Sequence, residues 1–120
     1  MKTIAVVEDN RDNRLLLRAF LADRYEITEF ENGPSALDAF RARLPDLVLL
    51  DISLPGMDGM AILAHIRADE ALQKLPVVAL TAHAMTGDRE RFLRAGFNDY
   101  VAKPIVDESV LHATIEKLLK

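Results

Sequence analysis

Hydrophobic residues along this chain follow two alternating spacings. Short, β-branched runs occur at 3–8 ("TIAVVE"), 25–30 ("YEITEF"), 46–51 ("DLVLLD"), 76–81 ("PVVALT") and 99–103 ("DYVAK"), each of strand length. Between them the apolar positions return every three or four residues, the spacing that lines one face of a helix. Residues 12–22 put Leu16, Leu17, Phe20 and Leu21 on one face, and 34–44 do so with Ala36, Leu37, Phe40 and Leu44. Residues 59–69 use Ile62, Leu63 and Ile66, and 108–119 use Val110, Leu111, Ile115 and Leu118. The stretch 84–94, "AMTGDRERFLR", is the weakest helix, with Gly87 inside it and a thin apolar face; glycine in a helix interior costs stability, so this element is expected to be the most mobile.

The punctuation agrees with this reading. Pro34 follows "NG" where a first-turn helix proline belongs, Asp107 suits an N-cap before the last helix, and Gly96 in "AGF" falls just past the fourth. Runs 3–8, 46–51 and 76–81 are nearly continuous in apolar residues, the mark of strands covered on both faces. Run 25–30 alternates more and suits an edge. Five strands each followed by a helix, with short connections, predict an α/β fold: an open five-stranded parallel sheet with helices on both faces. No linker, repeat or low-complexity stretch breaks the chain, so one domain is expected over residues 1–120.

Composition narrows the function. Half of the 120 residues are hydrophobic and 28 % are charged, enough apolar material for one core. The net charge of −4 argues against direct nucleic-acid binding, which needs a basic face. There is no cysteine, which fits a reducing compartment and excludes thiol chemistry. The opening "MKTIAVVEDN" has an apolar run of only four residues, short of a secretory or membrane segment. A soluble, cytoplasmic protein with no membrane partner is expected.

In such a sheet, ligands bind beyond the carboxyl ends of the strands. Strand one ends at Glu8 and Asp9, strand three at Asp51, strand four at Thr81 and strand five at Lys103. Strand two ends at Phe30-Glu31, away from that group if it is the edge. Three clustered carboxylates repel one another unless a divalent cation joins them, and an oxygen-only set favours Mg²⁺, or Mn²⁺, over zinc. Such a metal beside a hydroxyl and an ammonium would hold a phosphoryl group, and a carboxylate can be its acceptor. Asp51 is the central candidate. An aspartate at a strand end is ordinarily a loop residue or helix cap; the force of the pattern lies in four strand ends each supplying a suitable group.

Those residues resemble the receiver domains of bacterial two-component response regulators over essentially the full chain. The matching motifs are "VVEDN" (6–10), "LLDISLPGMDG" (49–59), "ALTAHA" (79–84) and "DYVAKPI" (99–105). The resemblance implies a flavodoxin-like fold of strand order 2-1-3-4-5. It implies that Asp51 accepts a phosphoryl group from a phosphohistidine on a sensor histidine kinase or a histidine phosphotransfer protein. Asp9 is similar to the direct Mg²⁺ ligand and Glu8 to its neighbour acting through metal-bound water, with the backbone carbonyl of Ser53 completing the shell. Thr81 and Lys103 would bond the phosphoryl oxygens, the Lys103–Pro104 peptide would be cis, and Tyr100 would be the aromatic switch that turns inward with Thr81. The face of the fourth helix, fifth strand and fifth helix would then change its affinity for a downstream protein, with the basic run 88–94 a candidate contact. Ser53 and His83 flank the position from which water would attack and are candidates for setting the lifetime of the phosphorylated state. His65 and His112 read as surface or edge residues, and Met57, Met60 and Met85 as packing.

Three rivals are weaker. A dehalogenase-like phosphatase also forms an aspartyl-phosphate, but its second acid is replaced here by Ser53, and 120 residues leave no room for a cap domain. A flavodoxin-like cofactor binder would need a Ser/Thr/Gly-rich phosphate loop where this chain has "EDNRDN". A degenerate receiver would lack one of the acids or the lysine. The expected protein is therefore a phosphorylation-competent receiver, not a turnover enzyme. It would stand alone, or be a piece of a larger regulator or hybrid histidine kinase.

Overall fold

The computed structural model describes residues 1–82, 87–105 and 107–119. Strands β1 (Thr3–Val7), β2 (Glu26–Phe30), β3 (Leu47–Asp51), β4 (Val77–Thr81) and β5 (Asp99–Ala102) alternate with helices α1 (Arg11–Leu21), α2 (Gly33–Ala42), α3 (Gly59–Ala68), α4 (Asp88–Ala95) and α5 (Glu108–Leu119). The strands pair in parallel in the order β2-β1-β3-β4-β5; the alternation predicted the parallel sheet and the resemblance its order.

Because successive side chains on a strand face opposite ways, the sheet feeds two cores. Ala5, Val7, Val48, Leu50, Val77 and Ala79 pack with Leu37, Phe40, Ile62, Ile66 and Phe92 from α2, α3 and α4. Ile4, Val6, Leu47, Leu49, Val78 and Leu80 pack with Leu17, Leu21, Leu111 and Ile115 from α1 and α5. All five residues of β3 and of β4 are buried, which is why those runs are continuously apolar, whereas β2 is partly exposed along its length and lies at the edge.

The helix ends follow their residues. Asn10, Asn32 and Asp58 accept from the third residue beyond each of them, the bond that satisfies an orphan amide of a first turn. Asp107 accepts from the Ser109 amide at 3.0 Å, as its N-cap reading required. Gly96 closes α4 at φ 119°, its amide and that of Phe97 returning to Leu93 and Phe92; a side chain is strained in that conformation.

Three details depart from the periodicity. α4 starts at Asp88, so Gly87 precedes the helix instead of interrupting it; residues 84–86 of the expected helix lie outside the described ones. α2 ends at Ala42, leaving Leu44 beyond it and 55 % exposed. Leu16 and Val110 point to solvent although their spacing matches the buried stripe, because the sheet covers an arc of each helix narrower than the apolar face.

Candidate functional site

The strand order reverses at β1, whose neighbours β2 and β3 lie on opposite sides, and a crevice opens beyond the carboxyl ends of β1 and β3 at such a point. Glu8 leaves β1 with its amide still paired to the Phe30 carbonyl at 3.0 Å, and its side chain is fully buried. Asp9, one residue on, is exposed. Asp51 closes β3 at 2 % exposure. One carboxylate oxygen from each of the three lies within 4.8 Å of the others.

Lys103 reaches the group from the end of β5. Its Nζ lies 3.2 Å from Asp51 Oδ1 and 3.4 Å from Glu8 Oε2. The Lys103–Pro104 peptide is cis, as the resemblance implied. Thr81 is buried at the end of β4, and its carbonyl accepts the Lys103 amide at 2.7 Å, which joins the two strand ends that carry the hydroxyl and the ammonium.

Local sequence fixes Asp51 from the other side. Its Oδ1 accepts the Ser53 amide at 3.0 Å, holding the carboxylate against the following turn. The Gly59 amide bonds the Ile52 carbonyl at 3.0 Å, bringing the start of α3 against the end of β3. A Cβ at Gly59 would meet the Asp51 carbonyl oxygen at 2.4 Å, so that approach needs glycine.

Three carboxyl groups face one ammonium at the site, an excess of acid that remains even when Glu8 is protonated. Burial and the hydrogen bond and charge of Asp51 push the Glu8 carboxyl up to about 7, against smaller opposing effects of Asn13 and Lys103. The site thus carries uncompensated negative charge that a divalent cation would relieve. An oxygen-only donor set with open positions fits Mg²⁺, which keeps several waters and binds few carboxylates. Glu8, Asp9 and Asp51 are the residues placed to hold it.

Tyr100 is half-buried on β5, its ring 6.0 Å from that of Phe92 on α4. β4 and β5 pair Ala79 with Tyr100 and Thr81 with Ala102, so the hydroxyl and the ring are two rungs apart on one ladder. Ser53 is exposed beside the acceptor. His83 lies outside the described residues, as does Met85. His65 is exposed and His112 half-buried, whereas Met57 and Met60 pack against the core.

The first turn of α1 adds two residues that the sequence reading passed over. Asn13 Nδ2 donates to Glu8 Oε1 at 2.6 Å. Arg14 Nη1 donates to the carbonyls of Glu8 and Asp9 at 2.8 and 3.1 Å. The signal available was their place in "EDNRDNR", on the turn that immediately follows the acids, where side chains can reach back over the strand end.

The fold and site geometry agree with what comparison finds. The chain belongs to the response regulator receiver domain family, whose model matches residues 4–116. It is 42 % identical to the polar-differentiation response regulator DivK of Brucella anthropi over 105 residues, covering 87 % of this chain and 85 % of that protein. The receiver domain of the sensor histidine kinase PA1611 of Pseudomonas aeruginosa matches with a TM-score of 0.88 at 36 % identity, over 98 % of this chain and 97 % of its own. That structure has a magnesium ion coordinated in its active site cleft. The chemotaxis protein CheY4 of Vibrio cholerae shares the fold, with a TM-score of 0.89 at 22 % identity over 99 % of each chain. The chain is thus a receiver of two-component signalling. Among the described residues no helix is long and apolar enough to cross a membrane.

Proposed function

We propose that this receiver takes a phosphoryl group onto Asp51 from a phosphohistidine of a sensor histidine kinase or a histidine phosphotransfer protein, and loses it slowly by self-hydrolysis. The observation that carries the reading is the convergence of Glu8, Asp9 and Asp51 within 4.8 Å of one another, with Lys103 Nζ 3.2 Å from the acceptor.

In the transfer, an Asp51 Oδ forms the new P–O bond as the P–N bond of the donor imidazole breaks. Such a reaction needs chiefly alignment and charge neutralisation. Glu8, Asp9, Asp51 and the Ser53 carbonyl would hold Mg²⁺, which would neutralise charge on the phosphoryl oxygens. Lys103 exchanges its contact with the Asp51 carboxylate for the arriving oxygens, and the Thr81 hydroxyl donates to them. In hydrolysis, water attacks phosphorus and the Asp51 carboxylate leaves; exposed Ser53 stands beside the acceptor, and Ser53 and His83 are the residues proposed to set the rate. The chain is then a switch with one self-catalysed transfer and one self-hydrolysis per cycle, not a turnover enzyme.

A phosphoryl group adds up to two negative charges and strong acceptor oxygens. Thr81 meets them by moving the end of β4, and the β4–β5 ladder carries that movement to Tyr100 and its contact with Phe92. α4 buries only Phe92, so a shift costs it little core. The α4–β5–α5 face, including exposed Arg89 and Arg91, thereby changes its affinity for a downstream protein as a shift between two populations.

Mass spectrometry after treatment with acetyl phosphate and Mg²⁺ tests the reading. The expected result is a gain of one phosphoryl group that disappears in Asp51→Asn. Modification that persists in Asp51→Asn would refute it, and steady hydrolysis of small phosphate esters would favour a phosphatase instead.

A further inference from the structure

Arg14 holds the backbone of the two residues that bring Glu8 and Asp9 to the site. Glu8, just past β1, has its amide paired with Phe30 of β2, and its carbonyl and that of Asp9 lie where the ladder ends and α1 has yet to begin. Backbone carbonyls in that position need donors from elsewhere. One guanidinium nitrogen supplies both bonds, 2.8 Å to Glu8 and 3.1 Å to Asp9. The other terminal nitrogen is 3.2 Å from Glu31 Oε1, and Nε is 3.5 Å from Glu29 Oε1. The side chain is only 12 % exposed, so it runs through the junction of β1, α1 and β2.

The consequence falls on Asp9 above all. Glu8 is oriented by Asn13 and Lys103 through its carboxylate, and Asp51 by the Ser53 amide. Among the described residues none bonds the Asp9 carboxylate. Its position therefore depends on the backbone that carries it, and that backbone is what Arg14 grips. The ion pair with Glu31 does not explain its burial, since Glu31 is 72 % exposed and exposed pairs contribute little.

We propose that Arg14 is a positioning residue for divalent-cation capture, fixing the Glu8–Asp9 backbone so that the Asp9 carboxylate is preset toward Glu8 and Asp51. The proposal rests on the function proposed above, in which these acids hold Mg²⁺. Groups that orient metal ligands without touching the metal commonly change affinity by about 10–100-fold when removed.

The test is an amide-shift NMR titration of the full chain with MgCl2, with thermal melts run in parallel. Arg14→Met keeps the apolar stem and removes every donor; its Mg²⁺ dissociation constant is expected to rise about tenfold. Arg14→Lys, which keeps the charge but cannot span both carbonyls and Glu31, is expected to show a smaller rise of at least about threefold, and decides the matter if Arg14→Met does not fold. Arg67→Met is the control. Arg67 likewise donates to three backbone carbonyls, of Gln73, Leu75 and Gly96, but away from the acids, so its loss should lower the melting temperature and leave Mg²⁺ affinity unchanged. Arg14 variants that bind Mg²⁺ within about threefold of wild type, or an Arg67→Met that weakens binding as much, overturn the proposal while the proposed function stands. A wild-type chain that does not bind Mg²⁺ overturns both.

Discussion

Glu8 has no solvent contact and stands beside Asp51, and both circumstances favour its protonated form. Burial and Asp51 push its carboxyl up to about 7 in the fold, well above the ordinary carboxylate range, so the folded chain binds this proton more tightly than the unfolded one. Stability from that difference is fully present below the unfolded value and is lost as pH rises through about 7. Urea unfolding in EDTA should therefore show stability falling between about pH 5 and pH 8, with a shallower fall in Glu8→Gln. An identical pH profile in the two proteins would contradict this account of Glu8. Much of the site was readable at this scale, because strand ends are where the apolar runs stop: Glu8, Asp9, Asp51, Thr81 and Lys103 all stand where those runs placed them. Asn13 and Arg14 were not, since a polar residue on an amphipathic helix reads as solvated surface until the neighbouring strand end is known. Nor could sequence tell that Glu8 is buried while Asp9 is exposed.

Elements came out of the pattern with their order and type intact, and their ends shifted where tertiary contact decides. β3 and β4 were the clearest, being buried on both faces. α4 was the least so: its apolar face amounts to buried Phe92, and what starts the helix is Gly87 in a left-handed conformation with no side-chain cap. Leu16, Leu44 and Val110 fit a helical stripe and are exposed, because periodicity records which face is apolar but not how much of it the sheet covers. The junction of β3 and α3 offers a sharper test. A methyl at Gly59 would lie 2.4 Å from the Asp51 carbonyl oxygen and 2.7 Å from Ile52 Cα, both backbone atoms that cannot swing aside. Gly59→Ala should cost about 1–3 kcal/mol, the usual range for overpacking, as measured by urea denaturation. It should also slow phosphorylation by acetyl phosphate, because relief of the clash displaces Asp51. Wild-type stability in this variant would mean that the α3 start is not held as closely as described.

At the scale of the whole molecule, the sheet makes one edge from distant parts of the chain, and the same sheet carries the consequence outward. Thr81 and Tyr100 share the β4–β5 ladder, and Tyr100 leans on Phe92 of α4. Saturation with beryllofluoride and Mg²⁺ should therefore shift amide resonances of α4 and β5 as strongly as those next to Asp51, while α2, which faces β2 and α3, changes little. Shifts confined to the immediate neighbours of Asp51 would show a receiver that loads without switching. The parallel sheet and the strand ends that supply the site were legible from the order of elements, and the strand order from the family resemblance; the path to α4 was not legible, because it depends on which rings touch. The most direct test of the central claim is a crystal structure of the chain with Mg²⁺ and beryllofluoride. The account predicts the fluoride adduct on an Asp51 oxygen, Mg²⁺ on the Asp9 and Asp51 carboxylates and the Ser53 carbonyl, and Lys103 Nζ and the Thr81 hydroxyl on the fluorides. An adduct on another residue, or a metal bound away from Asp9 and Asp51, would contradict it.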